Sequence, residues 1–309
     1  MEEKTIAIIE ETKKAVSGKD DVLKWILAAI LAGGHILLED MPGVGKTTIA
    51  LAFSKAMGLS YGRVQFTPDV LPSDITGYSV YVKETGELQY QPGAVLCNLF
   101  LGDELNRATS RTQSALLEAM EEGNVTVDGV SHQLPQPFIV FATQNPVGAA
   151  GTQLLPDSQM DRFMVRLSVG YPSKSAEMEM IQNRQDRDPL DGIEAVVSRE
   201  ELQAIKADVS NVFVSEEIVE YIVALIRATR ESETISRGAS PRASLAVNAM
   251  AKSVAYLHGR SYVVPADVQT VFIPTVAHRL LLTPQAEARG TIVENVLANL
   301  LRSVPAPRI

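Results

Sequence analysis

Residues 36–48 read Ile-Leu-Leu-Glu-Asp-Met-Pro-Gly-Val-Gly-Lys-Thr-Thr, a short apolar run that breaks into a glycine loop and then into a helix-forming stretch. Nothing else in the chain constrains its fold as tightly. A strand must end where the glycines begin and a helix must start directly after them. Only then do backbone N–H groups turn inward and add to the favourable dipole of a helix N-terminus, which makes a seat for a phosphate. Pro42, Gly43, Val44, Gly45, Lys46, Thr47 and Thr48 are the candidates for that seat. Lys46 would reach the β- and γ-phosphates of ATP, and Thr47 would bind Mg²⁺. The strict pattern asks for glycine where this chain has Asp40, so it fails at one end while Pro42 through Thr48 remain intact. The ordinary alternative, a plain turn before a helix, is disfavoured by the strand–loop–helix context.

The order of apolar runs around this loop predicts an α/β domain. Ile6, Ile9 and Val16 share a helical face that Gly18 can end; Asp20 can cap the next helix, which Gly33-Gly34 stops. Residues 35–39, 63–67, 99–103, 138–143 and 164–169 are buried-strand candidates separated by helices, the pattern of a parallel sheet flanked by helices. Two insertions interrupt it, one over 77–90 around Thr85-Gly86 and one over 124–134 with Asp128-Gly129 at its centre; Asp-Gly between alternating runs signals a hairpin. After Tyr171-Pro172 strand signals cease. Ser198 to Glu201 form a capping box, Ser215 can cap an apolar helix, Ser240-Pro241 open another that Gly259 ends, and Pro265 opens a further one. The expectation is an α/β core over 1–172 and an all-helical domain over 173–309.

Hydrophobic residues make up 46% of the 309-residue chain, enough for a substantial core, and the net charge of −9 weighs against a phosphate backbone as partner. With Cys97 as the one cysteine, no intrachain disulfide or cysteine-based zinc site can form, and the four histidines show no metal-ligand spacing. The first residues carry early acids and no long apolar core, unlike a secretory signal. The longest apolar stretch, 22–32, contains Lys24 and is too short to span a bilayer. A soluble, cytoplasmic protein without a membrane span is expected. Trp25, within that stretch, reads as a packing residue.

Hydrolysis needs more than a phosphate seat. Asp103 and Glu104 end an apolar run; Asp103 would hold the Mg²⁺ shell and Glu104 would activate the attacking water. Such a pair can also be a solvated loop. Asn145, just after the 138–143 run, could orient that water, with Pro146 turning the chain out of the sheet; an Asn-Pro turn is the ordinary alternative. A cation for the transition state could come from Arg162, ahead of the 164–169 run, or from Arg242, in the first turn of a later helix. A lone arginine is by default a surface residue, and local sequence does not choose.

Taken together, Leu-Leu-Glu-Asp-Met-Pro-Gly-Val-Gly-Lys-Thr, Gln-Phe-Thr-Pro-Asp-Val-Leu-Pro-Ser-Asp-Ile-Thr-Gly (65–77), Asp-Glu-Leu-Asn-Arg-Ala (103–108), Thr-Gln-Ser-Ala-Leu-Leu-Glu-Ala-Met, Ala-Thr-Gln-Asn-Pro and Ala-Ser-Pro-Arg-Ala resemble the MoxR family of AAA+ ATPases, in order from about residue 10 onward. The resemblance implies an AAA+ P-loop core followed by an all-α lid domain. It places Asn145 at the sensor-1 position, Arg162 at the arginine finger that acts on a neighbour's ATP, and Arg242 at sensor 2, touching nucleotide from the lid of its own chain. It makes 76–90 a helix-2 insert and 124–134 a pre-sensor-1 hairpin. It also implies a homo-oligomeric ring, usually a hexamer, with chaperone-like action on a client protein complex, sometimes metal-cofactor insertion, and often a partner carrying a von Willebrand factor A domain. Gly102 and Cys97 stand where alanine is more usual, with no change expected from either. Arg111 stands where lysine is commoner, which leaves a role between subunits open. Acidic residues at the position of Asp40 look common in this family.

Two other functions compete. A nucleic-acid motor can share the hairpin plan, but the hairpin here holds Asp128 and His132 and no Lys or Arg, where phosphate tracking calls for basic residues. A non-hydrolysing switch would have lost some of Lys46, Thr47, Asp103, Glu104 and Asn145, and all are present. Tyr78 and Tyr81 are equally readable as client-gripping or strand residues, and Gln65 as a coupling residue near the nucleotide.

Overall fold

The computed structural model describes residues 2–41, 43–145, 155–183 and 188–308. Its centre is a parallel sheet. Strands β1 (Ile36–Glu39), β2 (Tyr61–Gln65), β5 (Leu99–Asp103), β8 (Ile139–Gln144) and β9 (Val165–Leu167) lie in the order β2-β5-β8-β1-β9, every neighbouring pair parallel. Between β2 and β5 stands the hairpin β3 (Gly77–Val82) and β4 (Glu87–Pro92); between β5 and β8 stands β6 (Asn124–Val127) and β7 (Val130–Gln133). Asp128 and Gly129 both take positive φ, 49° and 79°, the backbone that a two-residue turn between twisted strands needs. The rings of Tyr90 and His132 stack with centroids 3.6 Å apart and so join the two hairpins.

The helices of the core are α1 (Glu2–Lys13), α2 (Asp20–Leu31), α3 (Lys46–Ala56), α4 (Pro72–Thr76), α5 (Ser110–Glu122) and α6 (Asp157–Met160). After the sheet come α7 (Lys174–Asn183), α8 (Arg199–Ser210), α9 (Glu216–Glu231), α10 (Pro241–Leu257), α11 (Pro265–Val276), α12 (Pro284–Ala288) and α13 (Val293–Ser303). Among the described residues no helix is long and apolar enough to cross a membrane.

Alternation along the strands sorts the apolar residues into two cores. Ile36 and Leu38, Leu99 and Leu101, Ile139 and Phe141 enter one. Leu37, Phe100, Val140 and Ala142 enter the other, against Leu116, Leu117 and Met120 of α5. The first core does not stop at residue 172. It runs from Ile8 through α2 and α3 to Leu225, Val247, Phe272 and Leu297, so the C-terminal helices share one apolar interior with a face of the sheet. Buried Ser253 of α10 donates to Ala28 O of α2 at 2.8 Å, fixing that contact.

The C-terminal region is the expected helical domain with one small addition: β10 (Ile235–Arg237) and β11 (Leu281–Leu282) pair antiparallel. Strands of three and two residues are too short to show alternation. Asp20 begins α2 rather than capping it, and Lys19 holds the cap position without a side-chain bond. Ser240 occupies a cap position but gives its hydroxyl to Asp161 Oδ2 at 2.8 Å. Ser198 and Glu201 do form the expected capping box. Gly102 is not interchangeable with alanine in this packing, since a Cβ there would lie 2.9 Å from the buried ring of Phe66.

His35, at the entry to β1, ties α5 to β8. Its Nδ1 accepts from Val140 N–H at 3.1 Å, so the proton sits on Nε2, which donates to Met120 O at 3.2 Å. Burial, and secondarily the Lys206 ammonium, lowers its pKa to about 4 against the opposing Met120 bond. The unfolded chain therefore takes a proton first, near 6.5, and the folded chain near 4. This contribution to stability is full above about pH 6.5, declines as pH falls to about 4, and is flat below. Urea unfolding should show a loss of about 3 kcal/mol from this group between pH 7 and 4. A His35→Asn variant should lose correspondingly less over the same range.

Candidate active site

Parallel pairing in register brings the carboxyl ends of β1, β5 and β8 together, with Glu39 opposite Gln144 and Gly102 opposite Ala142, and α3 starts a few residues beyond β1. Crevices at the carboxyl ends of such strands are where this architecture binds ligands. Gly43 and Gly45 have φ of 88° and 93°; a Cβ at either would meet nothing, so the backbone angle alone calls for glycine. Gly45 caps α3 without a side-chain bond, and the first turn of α3 has no acid. The helix N-terminus thus faces the crevice with its N–H groups and dipole unopposed. Pro42 and Pro146 lie outside the described residues.

The cleft has a volume of about 520 Å³. One wall carries Gly43, Val44, Gly45, Lys46, Thr47 and Thr48 with Asp103, Glu104 and Asn145; the other carries Ala15, Val16, Ser17, Lys19, Tyr171, Pro172, Glu177 and Met180. Lys46 is 7% exposed and donates to Asp40 O at 2.7 Å. Burial pulls its pKa below the ordinary lysine value, while Asp103, Asp40, Glu104 and Glu39 hold it up.

Thr143 organises the acid pair. Its Oγ1 donates to Asp103 Oδ1 at 2.6 Å and accepts from Glu104 N–H at 2.8 Å. Glu104 sits in the left-handed region, φ 56° and ψ 46°, a conformation that costs a non-glycine residue about 1 kcal/mol or more and that the Thr143 bond holds. Its Oε1 accepts from Asn145 Nδ2 at 3.1 Å and its Oε2 from Arg107 at 2.6 Å. The Arg107 bond is the main reason its pKa lies below the ordinary carboxylate value, so it is ionised at neutral pH. Each oxygen keeps a further lone-pair site for a water. Asn106 donates to Asn145 O at 3.2 Å and accepts from Asn145 N–H at 3.4 Å, which orients the amide.

Asp103 Oδ2 accepts from Arg63 at 2.8 Å, so with Thr143 on Oδ1 the carboxylate is held in place, with lone pairs left to order the water shell of a metal ion. No cluster of three or more His, Cys, Asp or Glu able to hold a metal occurs among the described residues. The donor set of Thr47 hydroxyl and Asp103 carboxylate suits a hard ion that keeps several waters and takes its other ligands from phosphates.

Asp40 does not touch phosphate-binding groups with its side chain. Its carboxylate accepts from Ser168 Oγ at 3.0 Å and from the N–H groups of Val169 and Gly170. Lys19 Nζ gathers the carbonyls of Val169, Gly170 and Tyr171 at 2.6, 3.0 and 2.7 Å. The residue that breaks the strict loop pattern fixes the exit from β9.

The two predicted arginines are brought together, but not into the cleft. Glu121, near the end of α5, takes Arg162 on Oε2 at 2.8 Å and Arg242 on Oε1 at 2.5 Å. The described residues lining the cleft include Lys19 and Lys46 and no arginine. In this structure Arg242, in the first turn of α10, stands on Glu121 and outside the cleft lining. Packing of α10 on α2 puts its first turn beside α5 instead.

Sequence reasoning missed Thr143, Asn106, Arg107, Lys19 and Glu121. Asn106, Arg107 and Thr143 lie inside runs that carried the family likeness, and their positions beside Glu104 and Asn145 were the available signal. Lys19 and Glu121 act across long sequence separations and left none.

An anion-accepting nest beside a strand that ends in an acid pair marks a P-loop ATPase, and the five-stranded order with helices packed behind it narrows the class to AAA+. Comparison agrees: residues 35–165 match the ATPase family associated with various cellular activities (AAA), and residues 227–299 match the AAA lid domain. Chaperone MoxR1 of Mycobacterium tuberculosis is 38% identical over 97% of this chain and 82% of its own; protein MoxR of Methylorubrum extorquens is 32% identical over 96% and 93%. YeaC of Bacillus subtilis, an uncharacterized protein, is 44% identical over 97% and 93%. The crystal structure of a provisionally named ATPase from Cytophaga hutchinsonii superposes with a TM-score of 0.91 at 36% identity, covering 99% of this chain and 96% of that one. The chain belongs to the MoxR family of AAA+ ATPases, and it is an ATP-hydrolysing enzyme.

Thr143→Val keeps the shape of the side chain and removes both hydrogen bonds. An unpaired N–H and carboxylate oxygen cost roughly 1–3 kcal/mol. ATP turnover should fall at least ~tenfold while nucleotide binding through the loop at Gly43 to Thr48 is retained. Unchanged turnover would remove Thr143 from the site.

Proposed function

We propose that the chain works as one subunit of a ring, probing a client protein complex through cycles of Mg²⁺-dependent ATP hydrolysis in which each cleft is completed by its neighbour. The observation that carries this is the pairing of Arg162 and Arg242 on Glu121 at a different surface, while the arginines beside the cleft, Arg63 and Arg107, are each engaged by one of its acids. Transfer of the γ-phosphoryl group develops charge that needs a cation beyond Lys46. Arg162 and Arg242, held side by side, supply it to the next subunit.

Within one subunit the roles follow from the contacts. The nest at Gly43–Thr48 and Lys46 take the phosphates, and Val16, Tyr171 and Met180 offer apolar surface to the base. Mg²⁺ bound through Thr47 and the shell of Asp103 would neutralise charge on the β- and γ-phosphates. Glu104, kept ionised by Arg107 and aimed by Asn145, orients the attacking water and accepts its proton. The exposed Tyr78, Val80, Tyr81 and Leu88 of β3–β4 give the ring an apolar grip on a protein client. The hairpin β6–β7, without Lys or Arg, supports a protein rather than a nucleic-acid client. A hexameric ring, a partner with a von Willebrand factor A domain and a cytoplasmic setting complete the proposal, on the strength of the family.

ATPase rate per subunit should rise with protein concentration through the assembly range, and chelating Mg²⁺ should abolish it. Arg162→Ala should cost at least ~tenfold in turnover, by analogy with arginines supplied in trans elsewhere. A rate per subunit independent of concentration, or an unaltered Arg162→Ala, would sink the shared-site reading. A Glu104→Gln chain should bind ATP, turn it over poorly and hold clients through a pull-down.

A further inference from the structure

The segment carrying Arg162 is a single helical turn, α6, followed by Asp161, Arg162 and Phe163 at the entrance to β9. A four-residue helix has little stability of its own. Groups from the C-terminal helical domain hold it. Ser240 donates to Asp161 Oδ2 at 2.8 Å, and Arg237 pairs with Asp157 at 2.5 Å. Arg279 donates through NH2 to Phe163 O at 2.6 Å; its Nε lies 3.5 Å from Asp161 Oδ1 and 3.3 Å from His278 Nε2, which itself lies 3.0 Å from Phe163 O.

Arg279 is the unusual member. Its side chain is 2% exposed and its NH1 has no hydrogen-bond partner. A buried guanidinium so incompletely paired is a poor device for stability, because the desolvation cost is met only in part, and an apolar residue of similar volume would pack at lower cost. What Arg279 does uniquely is face both sides of Arg162: an ion-pair contact at 3.5 Å to the carboxylate of the residue before it and a hydrogen bond to the carbonyl of the residue after it.

We infer that Arg279 is a positioning residue for Arg162, fixing the Asp161–Phe163 turn from the C-terminal domain so that the arginine offered to the neighbouring cleft follows the position of that domain. Arg242, from the same domain, meets Arg162 on Glu121, so the two arginines are presented as a unit. This rests on the shared-site reading above, and it adds what sets the arginine in place.

The test uses the full-length chain and mixed subunits. Arg279→Lys keeps the charge and loses the two-sided contact. Asp161→Asn removes the facing charge and serves as the second variant should the first fold poorly. Each alone should lose ~tenfold or more in turnover, while ATP affinity of its own cleft stays within about twofold of the parent. Mixed before assembly with Glu104→Gln subunits, which hydrolyse poorly but carry intact arginines, each variant should regain activity severalfold. Mixed with Arg162→Ala subunits, neither should. Parental turnover in both variants overturns the proposal. So does loss that Glu104→Gln subunits fail to rescue, since Arg279 then serves its own cleft or merely the fold. The control pair, Arg162→Ala with Glu104→Gln, separates the two readings: if that pair alone regains nothing, the shared site itself fails and takes this inference with it.

Discussion

Burying the ammonium of Lys46 is the constraint on which the rest of the site is arranged. A cation that is 7% exposed has lost most of its water, and one hydrogen bond to Asp40 O does not replace it. Four carboxylates, Asp103, Asp40, Glu104 and Glu39, surround it and keep it charged. They come from the ends of two strands, β1 and β5, that are not themselves adjacent but are separated by β8. The sheet order is therefore part of the electrostatics. An acidic collar would repel a triphosphate on its own, so it is tolerable only where the α3 N-terminus and the glycine nest face the same space. Collar and nest balance each other, and neither is useful alone.

Neutral groups share with Arg63, Arg107 and Arg166 the work of holding the collar still. Thr143 stands on β8 between the two strands and binds Asp103 and the Glu104 backbone at once. Asn106 does the same for Asn145. Glu104 keeps a left-handed backbone in which its N–H donates to Thr143 Oγ1. The site is thus organised before any ligand arrives, which is what electrostatic catalysis needs, since donors and acceptors that must reorient during reaction contribute less.

The legible parts of this protein are those encoded by short patterns. Apolar runs and the glycine loop located all five core strands to within a few residues, most sharply β1, β5 and β8, where burial on both faces leaves a continuous apolar run. Asp128-Gly129 announced its turn because few other pairs accept two positive φ values. What was not legible depends on packing across long separations. Asp40 looked like a defect in a motif until the backbone of Val169 and Gly170 was seen on its carboxylate, some 130 residues on. Gly102 looked like a silent stand-in for alanine until Phe66 was found above it. The pairing of Arg242 with Glu121, 121 residues earlier, likewise left no mark in the local sequence.

That last pairing follows from the shared core. Had the C-terminal helices owned a separate apolar interior, they could close over the nucleotide as an independent body. Here Leu225, Val247, Phe272 and Leu297 belong to the same cluster as Ile36, Leu38 and Phe53, and separating them would expose a large apolar area. The contacts at its margin are polar and specific: Arg237 on Asp157, Ser240 on Asp161, Arg279 on Phe163 O. An apolar interior sets how tightly two bodies adhere but permits sliding, whereas directional bonds set their register. Placing those bonds around a single turn that carries Arg162 makes that arginine the point most sensitive to any small shift between the sheet and the helices behind it.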